Sequence, residues 1–387
     1  MNTNIKISIN KTNSCIICSK KLTNVASLPN FPITEFFFNK KKTIKKFNLN
    51  QNLMFCKNCK HISLRKIINQ NFLYKNYKVR SKTSAQYAGE YLTNFLDFIK
   101  KNTYQLKTKA IIDIGGNDSL FLNLFKNKTK INIDPNASGG EKIILEKKFY
   151  HEVNFLNFKQ IDKIYVSSHT IEHIPNAEKL IKKISDSMRT KDILYLQYPS
   201  LEKFINNSRF DQITHQHLNL YSLKSISKIL NRHSLFIKKY EYDDSVYGTI
   251  RLKIAKSKKI NNYNVKITSD EIKTRFYNFK NYYKAMNDIL KNEKNLIGFG
   301  AGIMVPTLNY YLPIVNNLKF IFDSDLNKNN KYFINMNPKI KYFNGNFNLL
   351  KKYKVLITSI STENTLKKIC KKLIENKVSF FIPSYKI

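Results

Sequence analysis

Two Cys-x-x-Cys pairs, Cys15/Cys18 and Cys56/Cys59, are separated by 37 residues and hold four of the five cysteines in the chain. Four thiolates satisfy tetrahedral zinc, and the two-residue spacing lets both sulfurs of a pair converge from one tight turn. A closed four-cysteine site is structural. No catalysis is expected of this zinc, only stabilisation of a segment too short to bury enough surface alone. Neither pair opens a helix after a core strand, which argues against a thioredoxin-type redox site. His61 lies nearby but is surplus once four thiolates are bound.

A second group surrounds Ile111-Ile112-Asp113-Ile114-Gly115-Gly116-Asn117-Asp118. An acid stands at the end of a strand, and the glycines let the backbone approach a ligand closely. Asp134 ends the next strand, 21 residues after Asp113. An acid at that position can accept both ribose hydroxyls of a nucleoside. The loop is neither GxGxxG nor a P-loop. Its polar Asn-Asp suits a ligand without phosphates there, such as S-adenosylmethionine. Asp113, Gly115, Gly116, Asn117, Asp118 and Asp134 are therefore candidate cofactor residues.

Ser168-His169-Thr170-Ile171-Glu172-His173-Ile174-Pro175 follows the third strand. His169-x-x-Glu172-His173 formally matches a zinc-protease pattern, but that chemistry needs a helix to place both histidines on one face. Here the pattern straddles a strand end and stops at Pro175. A similar segment borders the methyl donor in doubly wound methyltransferases, so Ser168, His169, Glu172 and His173 join the cofactor candidates.

A third group lies in Phe210-Asp211-Gln212-Ile213-Thr214-His215-Gln216-His217-Leu218-Asn219-Leu220-Tyr221-Ser222, which carries two of the seven histidines. It follows a strand, at the sheet edge where open α/β sheets bind ligands. Histidine is the usual general base near neutral pH. His-x-His can also ligate a metal, but no third ligand is evident from spacing.

The elements that must position these groups alternate in type. Strands are expected at 110–114, 131–133, 163–167 and 193–197, with helices at 84–101, 120–125, 177–188 and 222–231. A hairpin over 236–242 and 248–255 closes this unit. The alternation argues for a doubly wound sheet with helices on both faces. A second α/β unit follows a polar break at 258–263. It has a long helix at 271–290, strands at 296–299, 320–322, 355–358 and 380–382, and a helix at 362–375. Three units result: a zinc-binding module over 1–75, a central domain over 76–258, and a Rossmann-like domain over 259–387.

Composition narrows the partners. The chain has 387 residues, 67 Lys+Arg against 27 Asp+Glu, and a formal charge of +40. The lysines occur in twos and threes everywhere and form no tail of like charges. Nucleic acid is therefore not the expected partner. A basic surface does favour anionic ligands, nucleotide diphosphates among them. No apolar run reaches the ~18 residues needed to span a bilayer. The first residues lack the apolar core of a secretory signal. A reducing, cytoplasmic setting is expected, with the chain a monomer or weak dimer.

In this order and spacing the motifs resemble the three-domain, zinc-binding nucleotide-sugar C-methyltransferases. The double Cys-x-x-Cys resembles that family's zinc module, and Asp113–Asp118 its S-adenosylmethionine loop. Phe210–Ser222 resembles its "DQxYHEHLSYFS" active-site loop, and residues 247–251 its "GGSLR" strand. Gly298-Phe299-Gly300-Ala301-Gly302 resembles the opening of its C-terminal domain. The resemblance implies a class I S-adenosylmethionine-dependent methyltransferase fold with structural zinc. It implies methyl transfer to a carbon of a nucleotide-linked keto sugar in glycan or polysaccharide synthesis. His217 would be the base, with His215, Gln216 and Tyr221 beside it. Tyr77, Asp211, Gln212, Thr214 and Arg251 would contact substrate.

Four positions depart from the family pattern. Thr214 stands where the loop has Tyr, Gln216 where it has Glu, Val79 where a second tyrosine is usual, and Ser119 where the donor loop ends in Gly. Gln216 cannot exchange a proton at neutral pH. Three other readings stay open: sugar O-methylation, a sugar-nucleotide-binding protein with degraded catalytic residues, and RNA methylation.

Overall fold

The computed structural model describes residues 9–34, 36–75, 85–103, 109–244, 248–359 and 363–383. The N-terminal segment holds β1 (Ile9–Lys11), β2 (Thr23–Pro32), β3 (Phe37–Phe38), β4 (Asn48–Cys56), β5 (His61–Leu64), β6 (Lys66–Ile68) and α1 (Gln70–Lys75). β1 pairs with β6, and β2, β4 and β5 form an antiparallel meander. β2 and β4 run ten and nine residues, and Pro29 and Pro32 lie inside β2, where its register with β4 slips between Leu28 and Phe31.

The central unit contains α2 (Ala85–Asn102), β7 (Ala110–Ile114), α3 (Leu120–Asn123), β8 (Thr129–Ile133), β9 (Ile143–Glu146), β10 (Lys163–Ser168), α4 (Ala177–Ser187) and β11 (Ile193–Pro199). It continues through α5 (Leu201–Asn206), β12 (Asn219–Tyr221), α6 (Leu223–Arg232), β13 (Leu235–Asp243) and β14 (Thr249–Lys256). Its seven-stranded sheet runs β9-β8-β7-β10-β11-β14-β13. The first five strands are parallel, and β14 enters antiparallel between β11 and β13. Strand order reverses between β7 and β10, which makes that edge the switch point where such sheets hold ligands. Side chains alternate between the two faces. Ile112, Ile114 and Tyr165 pack with Leu180, Ile184, Ile226 and Ile229 of α4 and α6. Ile111, Ile164 and Val166 pack with Phe95, Phe98 and Ile99 of α2. β9 was not among the expected strands.

The C-terminal unit contains α7 (Ser269–Leu290), β15 (Leu296–Phe299), α8 (Val305–Tyr311), β16 (Phe320–Asp323), β17 (Tyr332–Phe333), β18 (Lys339–Tyr342), β19 (Lys354–Ile357), α9 (Glu363–Glu375) and β20 (Phe380–Phe381). Its sheet runs β20-β19-β15-β16-β18-β17-β3, parallel as far as β18. In its glycine turn the Asp323 carboxylate accepts from the Ala301 amide at 2.6 Å and faces Lys328 at 3.3 Å. The acid that would face a ribose in a dinucleotide site is thus spent on the turn itself.

Two strands stitch the units together. β12, from the histidine-bearing loop, pairs antiparallel with β5 of the N-terminal meander. β3 completes the edge of the C-terminal sheet through β17. One apolar cluster joins Phe31 and Leu53, Phe204 and Phe210, and Phe276 and Phe279 across all three. No described helix is long and apolar enough to cross a membrane.

Candidate functional site

The loop after β7 is shaped by close approach. Gly115 has φ +79°, and a Cβ there would meet Thr170 Oγ1 at 2.1 Å. A Cβ on Gly116 would meet Asn132 Oδ1 at 2.6 Å and the Asp113 carboxyl at 2.9 Å. Only glycine fits either place. Asn132, buried in β8, donates to the Asn117 carbonyl at 2.9 Å and to Ser119 Oγ at 2.7 Å, and so holds the loop from below. Ser119, the departure from the usual glycine, adopts φ +59° and donates to the Ser138 carbonyl at 2.6 Å. Asp113 is buried, and burial, reinforced by the charges of Asp134 and Asp118, pushes its carboxyl up to about 8. Burial also raises Asp118 and Asp134. Asp134 accepts from the Asn136 amide at 2.7 Å at the end of β8.

The segment after β10 touches both the glycine loop and the histidine loop. Thr170 covers Gly115. His169 turns at φ +51°, and its ring meets Tyr91 of α2 edge-on, with centroids 5.5 Å apart. Ser168 Oγ accepts from Gln197 Nε2 at 2.9 Å. Residues 171–173 form one 3-10 turn that buries Glu172. His169 Nδ1 stands 3.4 Å and His173 Nε2 4.0 Å from Glu172 Oε1. Neither carboxylate oxygen has a well-aligned hydrogen-bond partner among the described residues. Burial raises the Glu172 carboxyl, but His169 and the neighbouring imidazoles outweigh it and hold it below its ordinary value.

Residues 210–222 are pinned at both ends. Phe210 packs on Phe204, Phe276 and Phe279 with centroids 5.1–5.5 Å apart. β12 holds the other end. Arg209 engages both oxygens of Asp211, at 2.9 and 3.0 Å. Thr214 Oγ1 accepts from the backbone amides of Gln216 at 3.0 Å and His217 at 3.3 Å. Thr214 therefore builds the turn, and the turn sends the two histidines apart. His217 faces His173, with ring centroids 4.9 Å apart and planes at 76°. It shares a small pocket with Gln212, Phe204 and Ile213. The Gln212 carbonyl accepts from the His217 ring, and the Gln216 carbonyl from the His173 ring. Burial, with the charge of His173 adding, pushes His217 down to about 3, while Glu172 opposes the shift.

His215 does not reach this site. Its ring is 1% exposed, with Nε2 3.3 Å from the Phe31 carbonyl and Nδ1 3.3 Å from Gln51 Nε2. Burial pushes it down to about 4. Tyr221 is likewise a core residue, its ring tilted at 30° against His61 with centroids 5.0 Å apart. Arg251 is consumed by the sheet. It donates to Gln197 at 2.8 Å and Glu241 at 3.0 Å, and pairs with Asp243. Tyr77 and Val79 lie outside the described residues. Asn132, Thr170 and Gln197 shape the site and were not singled out by sequence. The available signal was a polar residue inside an apolar strand, as in Ile131-Asn132-Ile133.

The four cysteines of the expected zinc module converge. One sulfur from each of Cys15, Cys18, Cys56 and Cys59 lies within 4.8 Å of the others. The two knuckles share a conformation, with Ser19 and Lys60 both left-handed and their amides bonded to the Cys15 and Cys56 carbonyls. Backbone amides also point at sulfur, Ile17 to Cys15 at 3.4 Å and Cys59 to Cys56 at 3.3 Å. Bonds from Cys15 and Cys59 hold the Cys56 thiol far below its ordinary range. Four convergent soft donors with amides aimed at them fit a tetrahedral zinc ion.

Known proteins bear on the central unit. Residues 84–235 match a family model described as a methyltransferase domain. The C-methyltransferase NovU of Streptomyces niveus is 20% identical over 195 residues, 47% of this chain and 46% of that protein. The chain thus spans about half the length of this curated relative. Among solved structures, an S-adenosylmethionine-dependent methyltransferase of Listeria monocytogenes has a TM-score of 0.36 at 9% identity, over 44% of this chain and 99% of its own. A SAM-dependent methyltransferase of Thermotoga maritima has a TM-score of 0.36 at 11% identity, over 49% of this chain and 96% of its own. With its doubly wound sheet and the glycine loop after the first strand, the segment 84–235 matches a methyltransferase domain and has the class I, S-adenosylmethionine-dependent methyltransferase fold.

Proposed function

We propose that the chain transfers a methyl group from S-adenosylmethionine to a nucleotide-linked keto sugar, with His217 as the base. One observation carries this reading: residues 168–173 touch the glycine loop through Thr170 and the histidine loop through His173, so a donor loop and a base share one sheet edge. Thr170 and Asn132 close in on glycines 115 and 116, so the loop backbone lies tight against the sheet edge, and Asp134 beside it would accept the donor's ribose hydroxyls. S-adenosylmethionine, when bound there, supplies an electrophilic methyl group.

His217 stays neutral throughout the physiological range because burial disfavours its charged form, so one ring nitrogen is unprotonated, and the same burial makes it a weak base unless a counter-charge offsets the cost. It would take a proton from the carbon beside the sugar carbonyl, leaving the electron pair on the substrate as an enolate. Gln212 and Gln216 flank it and would orient the sugar by hydrogen bonds. The name of the relative NovU, a C-methyltransferase, supports carbon as the acceptor. The neutral Gln216 favours a second reading, in which His217 deprotonates a hydroxyl and an O-methyl sugar results.

The same proposal covers the rest of the chain. Residues 1–75 hold structural zinc, 76–258 bind the donor, and 259–387 help bind the nucleotide. Dispersed lysines steer the anionic diphosphate. A cytoplasmic setting suits four reduced cysteines. Calorimetric titration with S-adenosylmethionine, followed by mass spectrometry of a nucleotide-sugar panel and of total RNA, tests the reading. Donor binding with a methylated sugar is expected. Methylation of RNA but of no sugar, or no donor binding at all, would sink it.

A further inference from the structure

The base needs a counter-charge, and its own loop lacks one. Burial makes an imidazolium on His217 costly unless a carboxylate faces it. Gln216 is neutral. Asp211 is engaged through both oxygens by Arg209. Tyr221 and Thr214 carry no charge that would help. The carboxylate within reach is Glu172, which arrives from the turn after β10.

Its surroundings are those of a group held for a purpose other than the fold. Glu172 is 1% exposed, and neither oxygen has a well-aligned hydrogen-bond partner among the described residues. Its close partners are the imidazoles of His169 at 3.4 Å and His173 at 4.0 Å, so the carboxylate is tied to the histidine cluster and not to the backbone. One donor atom from each of Glu172, His173 and His217 lies within 4.8 Å of the other two. His173 Nδ1 is also buried without a partner among the described residues. The charged or titratable neighbours of His217 are His173, Glu172 and His169, so Glu172 is the one anion among them.

We propose that Glu172 supplies from a second loop the carboxylate that residue 216 lacks, positioning His217 through His173 and stabilising the imidazolium formed when His217 takes the substrate proton. This deepens the reading of His217 as base and rests on it. The proton moves from substrate to His217, the positive charge on the ring faces the negative charge on Glu172, and no oxidant or further reactant is needed. Glu172 is a positioning residue, since it touches the histidines and not the reacting atoms.

The experiment combines a substrate-free measurement with a rescue. The full-length, zinc-loaded chain is labelled with 15N-histidine, and the His217 imidazole is followed against pH in wild type and Glu172→Gln. Glu172→Gln should lower the His217 midpoint by about one unit or more, as expected when a charge within 5 Å is removed in a buried site. In turnover, Glu172→Gln should lower kcat by about 100-fold with KM little changed. The double variant Glu172→Gln/Gln216→Glu should recover part of that loss, which a merely structural role for Glu172 would not permit. An unshifted His217 midpoint overturns the proposal. So does a second divalent cation per chain, beyond the cysteine-bound zinc, that is lost in Glu172→Gln, because the cluster would then be a metal site. If no nucleotide sugar is methylated by wild type, the functional reading fails, while the imidazole shift still decides the coupling between Glu172 and His217.

Discussion

His173 and His217 come from separate loops of the central unit, yet their rings meet edge to face with centroids 4.9 Å apart. The contact joins the turn that covers the glycine loop to the loop that β12 ties into the N-terminal sheet. It predicts that His217 is indispensable to turnover and dispensable for the donor. His217→Asn should lower kcat by about 100- to 10,000-fold, the range typical of a lost general base. Titration calorimetry should still register S-adenosylmethionine binding. Unchanged turnover in His217→Asn would remove its role as base.

His215 should behave in the opposite way. Its ring fills the space between Phe31 and Gln51 and faces polar atoms on both sides. His215→Ala removes buried volume and leaves those polar groups short of a partner, so we expect a loss of about 2–4 kcal/mol. Urea denaturation measures that loss. Activity per folded molecule should fall far less than in His217→Asn, and an equal fall would place His215 in the chemistry.

This pair also marks how far the sequence reaches. Strands 110–114 and 163–168 were legible because their apolar, β-branched runs are local facts. The tight turn after β7 was legible because adjacent glycines at a strand end permit a close backbone approach that other residues do not. The pairing of β12 with β5 was not legible, since nothing in Asn219-Leu220-Tyr221 names a partner so distant in sequence. Nor was the divergence of His215 and His217. An extended His-x-His would place both rings on one side, but Thr214 Oγ1 closes a turn that rotates them apart. Convergence of Glu172 and His173 with His217 depends on two loops, and periodicity in either one cannot reveal it.

Asp113 gives a prediction in pH. Burial raises its folded-state carboxyl to about 8, against an ordinary value of 3.8. Between those values the folded chain keeps a proton that the unfolded chain has lost. Stability contributed by Asp113 is therefore full below pH ~4 and falls as pH rises toward 8, by about 1.4 kcal/mol per unit. Asp113→Asn should remove that decline. Urea denaturation of both proteins from pH 4.5 to 8 checks it through the difference between the curves, so the opposite contribution of the buried histidines cancels. Parallel curves would show that Asp113 is ionised in the folded, donor-free chain.

Zinc should matter to the histidine loop although it lies outside it. β5 starts at His61, two residues after Cys59, and His61 is the register partner of Tyr221 in β12. The Leu64 amide donates to the Leu218 carbonyl at 2.9 Å, next to His217. α6, which follows the loop, reaches the knuckles through Lys228 Nζ, 3.9 Å from Cys59 Sγ, and through Arg232, which donates to the Ile17 carbonyl. Without metal the knuckles lose what closes them, and folding free energy goes with it. Elemental analysis should find one zinc per chain, absent in Cys56→Ser and unchanged in Cys370→Ser. Hydrogen exchange should then rise at Leu64 and at residues 219–221 in Cys56→Ser, and turnover should fall with it. Donor binding, which rests on the loop after β7, should persist. Zinc loss that leaves exchange at 219–221 unchanged would sever the link, and the N-terminal sheet would then hold the histidine loop by its apolar contacts alone.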